Sequence, residues 1–198
     1  MRVRMGKALL LIAAALLTTT AAEAGWQDQV SRYDASRLAK LEEAKSQALS
    51  EAAAGPDMGT IHGVLDPQAV SLSEGALKGS WRCRTIKLGG MTPDVVYSWF
   101  RCRIRENGEG LYFEKISGSQ RVSGQLYPNE SGGYVLLGAL TVNDEKPHAY
   151  SGNGASVGAA ATPDDAVGLL EGTGTRSARI EFPYPVQEST FDVIELKR

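Results

Sequence analysis

The chain has 198 residues, 42% hydrophobic and 22% charged, with a formal net charge of −2 at pH 7. This is a globular composition, and its acidic balance excludes a general nucleic-acid binder, which needs a strongly basic surface. With two cysteines and two histidines, the chain also has little material for a metal centre.

The first 24 residues read as a cleavable export signal. Arg2, Arg4 and Lys7 form a basic start, and residues 8–17 are an uncharged apolar run. Ala22-Glu23-Ala24 then places small residues where signal peptidase needs them, which predicts cleavage before Gly25. The apolar run is shorter than the roughly 20 residues of a membrane span, and no cysteine stands at the cleavage site to take a lipid. A periplasmic or secreted protein with no membrane anchor in its mature form is therefore expected. Taking 24 residues from 198 leaves 174, with 18 basic against 22 acidic side chains and a net charge of about −4. That length suits one domain with its own core.

Residues 25–78 are expected to form a helix and a loop-rich connector. Residues 26–54 read as one helix, with Asp34 as an N-cap and Tyr33 and Leu38 as a hydrophobic staple. Leu38, Leu41, Ala44, Ala48 and Ala52 make a narrow stripe of mostly small residues, so the helix should lie against another element. Gly55-Pro56 stops it, and the Gly, Pro and Asp-Pro signals of residues 55–78 predict a loop-rich link.

From Gly79 to the end of the chain, short strand-like runs alternate with turn residues. Strands are expected at 80–87, 95–105, 110–116, 121–127, 134–142, 148–151, 167–171, 176–182 and 191–197, with a flexible loop over 152–163. Their spacing predicts a mainly β domain, an antiparallel barrel or sandwich, of which a barrel of about eight strands is the favoured expectation.

One hairpin can be worked out residue by residue. Asn107-Gly108 favours a two-residue turn with Glu106 opposite Glu109, which places Cys102 opposite Phe113 and Ile104 opposite Leu111. In an oxidising compartment the two cysteines are expected to pair, the alternative being two buried thiols. If Cys83 lies directly opposite Cys102, then Arg82 faces Arg103 and Arg84 faces Arg101. Both constraints put Trp81, Cys83, Phe100, Cys102, Ile104, Leu111 and Phe113 on a core face. Arg82, Arg84, Arg101, Arg103, Tyr112 and Glu114 share the other face, with Tyr97 and Trp99 on that side by parity. Directly opposed arginines repel. The face is either solvated, with Glu114 and Tyr112 offsetting part of the charge, or an anion site. In the second reading Arg82, Arg84, Arg101 and Arg103, together with Arg121, form a patch for a carboxylate, a phosphate or an acidic partner.

Trp81-Arg82-Cys83-Arg84, Ile86-Lys87-Leu88-Gly89, Trp99-Phe100-Arg101-Cys102-Arg103, Gly118-Ser119-Gln120-Arg121 and Phe191-Asp192-Val193-Ile194-Glu195-Leu196 resemble segments of an exported bacterial family, domain of unknown function 4893. The resemblance covers most of the chain after the signal and implies no activity, so it transfers no catalytic residue. Gly79-Ser80-Trp81 also resembles the Gly-x-Trp that opens the first strand of calycin-type barrels, a likeness of fold only.

No motif for catalysis stands out. There is no Gly-x-Ser-x-Gly elbow, P-loop or dinucleotide fingerprint, and His62 and His148 lack ligand partners at useful spacing. Gly118-Ser119-Gln120-Arg121 could surround an anion or simply turn the chain. Asp164-Asp165 would point to opposite sides of an extended chain, and Ser151-Gly152-Asn153-Gly154 resembles a backbone nest. No catalytic residue, metal or cofactor is assigned. The expected function is a binding module for a small or anionic ligand, either in the barrel mouth or on the arginine face. A protein-interaction or inhibitor role towards an envelope partner is the first alternative, and an enzyme with an unrecognised site the second. No nucleic-acid partner is expected.

Overall fold

Period-two alternation from Gly79 onward produces strands with one face inside and one outside, and they close on themselves. The computed structural model describes residues 25–130, 132–152 and 163–198. The first 24 residues, expected to be an export signal, lie outside these residues, as do most of the expected 152–163 loop and half of the Ser151–Gly154 segment.

The strands are β1 (Gly79–Leu88), β2 (Asp94–Val96), β3 (Phe100–Glu106), β4 (Leu111–Lys115), β5 (Gln120–Pro128), β6 (Tyr134–Val142), β7 (Asp165–Gly174), β8 (Ser177–Pro183) and β9 (Phe191–Lys197). All pairings are antiparallel: β1 pairs with both β2 and β3, each strand from β3 to β8 pairs with the next, and β9 returns to pair with β1 over seven residues, from Arg82↔Lys197 to Leu88↔Phe191. The result is a closed eight-stranded up-and-down barrel, in which closure removes the free edges.

The single strand expected over 95–105 is broken. β2 and β3 both pair with β1, on the side away from β9, but the register slips by one residue between Thr85–Tyr97 and Cys83–Phe100. Tyr97 thereby comes opposite Thr85, on the inward side, while Trp99 remains on the arginine side. The hairpin turn is also longer than expected. Glu106 pairs with Leu111, and Asn107–Gly110 form a four-residue loop in which Gly108 and Gly110 take positive φ. Cys102 therefore lies opposite Lys115, and Cys83 lies opposite Phe100. The disulfide forms as a diagonal between Cys83 and Cys102, with Cα atoms 5.8 Å apart, within normal bridging range. Both registers differ from expectation by two residues. An even slip preserves the faces, so Trp81, Cys83, Cys102, Ile104, Leu111 and Phe113 are all buried. The opposed arginines are Arg82 and Arg101, while Arg84 faces Glu195 of β9. Residues 148–151 form no strand.

The expected single N-terminal helix is three: α1 (Trp26–Gln29), α2 (Arg32–Leu38) and α3 (Leu41–Ala52). Ser31, rather than Asp34, caps α2, accepting from the Asp34 backbone N–H at 3.1 Å. Asp34 is fully buried against Arg37 and accepts from the Tyr150 hydroxyl at 2.6 Å. The connector also holds α4 (Met58–Leu65) and α5 (Glu74–Leu77).

Ala44, Ala48 and Ala52 are completely buried against Ile86, Leu88, Phe191 and Val193 on the outside of β1 and β9. Their small side chains let α3 approach the sheet closely. The Glu51 carboxylate then accepts from the Gly90 backbone and the Thr190 hydroxyl, tying α3 to two turns at one rim of the barrel.

The two ends of the barrel differ. At the end bearing α5, Leu77, Trp81, Leu111, Leu126, Leu136, Leu170 and Leu196 fill the interior. Trp81 donates to the Leu77 carbonyl at 2.8 Å, and the Arg198 guanidinium lies 3.9 Å from its ring centre. The opposite end is open.

Candidate functional site

At the open end the inward positions stop being apolar. Along β4 they run Leu111, Phe113, Lys115; along β9, read towards the rim, Leu196, Ile194, Asp192; along β1, Cys83, Thr85, Lys87. Each strand carries its alternation outward until a charged side chain replaces the next apolar one. Barrel closure gathers these three with Gln120 of β5 and Glu188 of the β8–β9 turn around a cavity of about 110 Å³. Val122, Leu140, Phe182 and Ile194 give it an apolar wall.

Lys115 is the unusual member. It is 6% exposed, a rare burial for lysine. Its ammonium donates to the Gln120 carbonyl and lies 4.3 Å from the Phe100 ring centre. No carboxylate of the described residues lies within salt-bridge distance of it. Burial, with Arg121 and Lys87 nearby, pushes its pKa down to about 8. Gly118 makes room for this arrangement. It sits at φ +92, and a Cβ there would come within 3.1 Å of both the Lys115 ammonium and the Phe100 ring.

Lys87 and Glu188 compensate each other. Burial opposes the charge on Lys87, but its pairing with Glu188, with Asp192 nearby, holds its pKa above the ordinary value. Glu188 is correspondingly lowered by the lysine. It sits at φ +71, a left-handed conformation that costs a non-glycine residue about 1 kcal/mol, and its carbonyl accepts from the Met91 backbone at 3.0 Å. Asp192 is pushed up to about 6 by burial, against the opposing pull of the Ser189 hydroxyl and Lys87. The cup thus has an apolar wall, a paired Lys87–Glu188 side, a buried Asp192 and, among the described residues, no carboxylate within salt-bridge distance of Lys115. Chemically it can hold a small molecule with an apolar body and an anionic head.

The five arginines expected as an anion patch are not all together. Arg82, Arg84, Arg101 and Arg103 share the outer face of β1 and β3. Arg121 stands at the rim of the mouth, where it donates to the Gly118 carbonyl at 2.9 Å and helps line the cavity. On the outer face Arg84 is paired with Glu195, and Arg103 with Glu114. His62, on the exposed side of α4, pairs with Asp66 at the C-cap of that helix, and His148 lies along a second groove outside β4–β6. No cluster able to hold a metal occurs among the described residues. Asp165 accepts from the Ser151 hydroxyl and backbone beside the mouth.

Reading the sequence for site residues missed Lys87, Lys115, Glu188 and Asp192. A signal was present, since Lys115 shares the inward parity of Leu111 and Phe113, and a charge on an apolar face needs a reason. The Gly118-Ser119-Gln120-Arg121 segment, read as either a turn or an anion cradle, is both a turn and part of the cup.

No curated protein and no solved structure matches this chain. The family model described as Domain of unknown function (DUF4893) matches residues 26–196, which takes in all five helices, every residue of the cup and the barrel except for the last residue of β9. The chain belongs to the DUF4893 family.

Proposed function

We propose that this protein is an exported binding module that holds a small organic anion in the open mouth of its barrel, with Lys115 as the counter-charge. The observation that carries this reading is a buried ammonium without a carboxylate partner, lining a cavity with an apolar wall. Burying an unpaired charge is costly, and an anion in the cup supplies what the fold leaves out. The cavity, at about 110 Å³, is on the scale of the ~150 Å³ cavity known to take up one benzene ring. The ligand is thus limited to a short aliphatic or single-ring acid. Export is supported by the leader-like first 24 residues and by the Cys83–Cys102 disulfide, since such bonds persist in oxidising compartments.

The test is calorimetric titration of the mature chain with benzoate and with benzyl alcohol, which share a ring and differ in charge. Benzoate should bind at least about tenfold more tightly, and Lys115→Met should abolish that preference while leaving the melting transition intact. Equal affinity for the two, or an unchanged preference in Lys115→Met, would refute the reading.

A further inference from the structure

We propose a second, independent interaction surface, in which the outer face of β1, β3 and β9 docks an extended acidic peptide segment of a partner protein. Six cations stand on this face: Arg82, Arg84, Arg101, Arg103, Arg105 and Lys197. Two carboxylates answer them. Glu195 is shared by Arg84 at 2.5 Å and Lys197 at 2.7 Å, and Glu114 by Arg103 at 2.8 Å and Arg105 at 3.1 Å. The face therefore carries four positive charges in excess, on a chain whose formal balance is negative.

Arg82 and Arg101 carry that excess most plainly. They are direct cross-strand partners and both are exposed. Neither has a carboxylate partner among the described residues. Like charges directly opposite each other destabilise a sheet, and solvation of the face does not require them to be opposed. Trp99 holds part of the array in place. The guanidinium carbons of Arg82 and Arg84 lie 4.9 and 4.8 Å from its ring centre, and the Lys197 ammonium lies 5.7 Å away. Stacked guanidinium groups keep their N–H edges free for bidentate contact with carboxylates.

The spacing selects the partner. Arg101, Arg103 and Arg105 alternate along one strand, as Arg82 and Arg84 do along its neighbour, so like-facing residues repeat about every 6.8 Å. An extended peptide with an acid at every second residue has the same repeat. A nucleic acid fits less well, because the two rings that could stack bases are already covered, Trp99 by Arg82 and Arg84 and Tyr112 by Arg105 at 4.8 Å. A membrane surface fits less well too, because among the described residues the one large apolar side chain exposed beside the patch is Ile116 at its edge.

The experiment is fluorescence anisotropy of the mature protein at about 50 mM salt with two labelled decapeptides of equal composition. One alternates Glu and Ser, and the other places all its Glu in a block. The alternating peptide should bind about tenfold tighter than the block peptide. The double variant Arg82→Ser/Arg101→Ser should lose about tenfold in affinity, with an unchanged melting curve as the folding control. Lys115→Met should leave peptide binding unaltered, which separates this surface from the cup. Equal binding of the two peptides, full binding by the double variant, or tighter binding to single-stranded DNA or to phosphatidylglycerol vesicles would each overturn the proposal.

Discussion

A lysine at an inward barrel position makes pH the natural probe of the cup. The folded state lowers the pKa of Lys115 from 10.5 to about 8, so the folded protein binds that proton less well than the unfolded chain does. The buried charge therefore costs stability below pH 8, and the cost is relieved as pH rises from 8 to 10.5. Lys115→Met should accordingly stabilise the unliganded protein at pH 7, and the difference should close above pH 10.5, as read by urea melts across that range. A gain that persists undiminished at high pH would mean that packing, not charge, sets it. Ligand affinity carries the opposite signature. A bound anion favours the protonated lysine, so benzoate affinity should fall as pH rises through about 8. Asp192, pushed up to about 6, is ionised above that value and repels an anion, so affinity should rise as pH falls through 6. Asp192→Asn should flatten this acid limb and raise affinity at neutral pH. Calorimetry across the range would show an unaltered acid limb in the variant if Asp192 does not face the ligand.

At the scale of the elements, the disulfide is the clearest lever. Cys83 and Cys102 are separated by 19 positions and both are buried. Closing a loop of that length stabilises by about 3 kcal/mol in the chain-entropy picture. Replacing both cysteines by serine should lower the unfolding free energy by at least that amount, and a denaturant melt showing a loss below about 1 kcal/mol would contradict it. The same hairpin shows what the sequence makes legible. Which side of each strand faces inward follows from a period of two, and it survives even though both registers are displaced by two residues. The register itself depends on the turn, and Gly110 adds a second positive-φ position that extends the Asn107-Gly108 turn to four residues. The diagonal disulfide fits either register, so the cysteines alone could not choose between them. The choice of cap on α2 is set by tertiary contacts that the local sequence does not show. Ser31 and Asp34 both offer caps, and the tertiary pairing of Asp34 with Arg37 and Tyr150 leaves Ser31 as the one that acts.

For the molecule as a whole, a barrel-like run of strands was legible, while its closure and the cup were not. Successive antiparallel pairing builds an up-and-down barrel, and the β1–β9 pairing completes it. An eight-stranded barrel is just wide enough for its own side chains to fill. Whether it holds a ligand therefore depends on where the filling stops. Here Leu77, Trp81 and their neighbours pack one end, while Lys87, Lys115 and Asp192 interrupt the packing at the other. Those three are far apart in the sequence and come together only when the first and last strands meet. The arginine face lies on the outside of the same wall, so the two proposed surfaces use opposite sides of β1. A protein built this way can carry a small anion inside while its outer face is engaged by a partner.

The decisive measurement is the titration of Lys115 followed by NMR at its side-chain Cε, first alone and then with saturating benzoate. A buried cation waiting for an anion should titrate near 8 in the free protein and move upward once benzoate is bound. A free-protein value at the ordinary 10.5, or one near 8 that benzoate leaves unmoved, would contradict the assignment of this barrel mouth as an anion site.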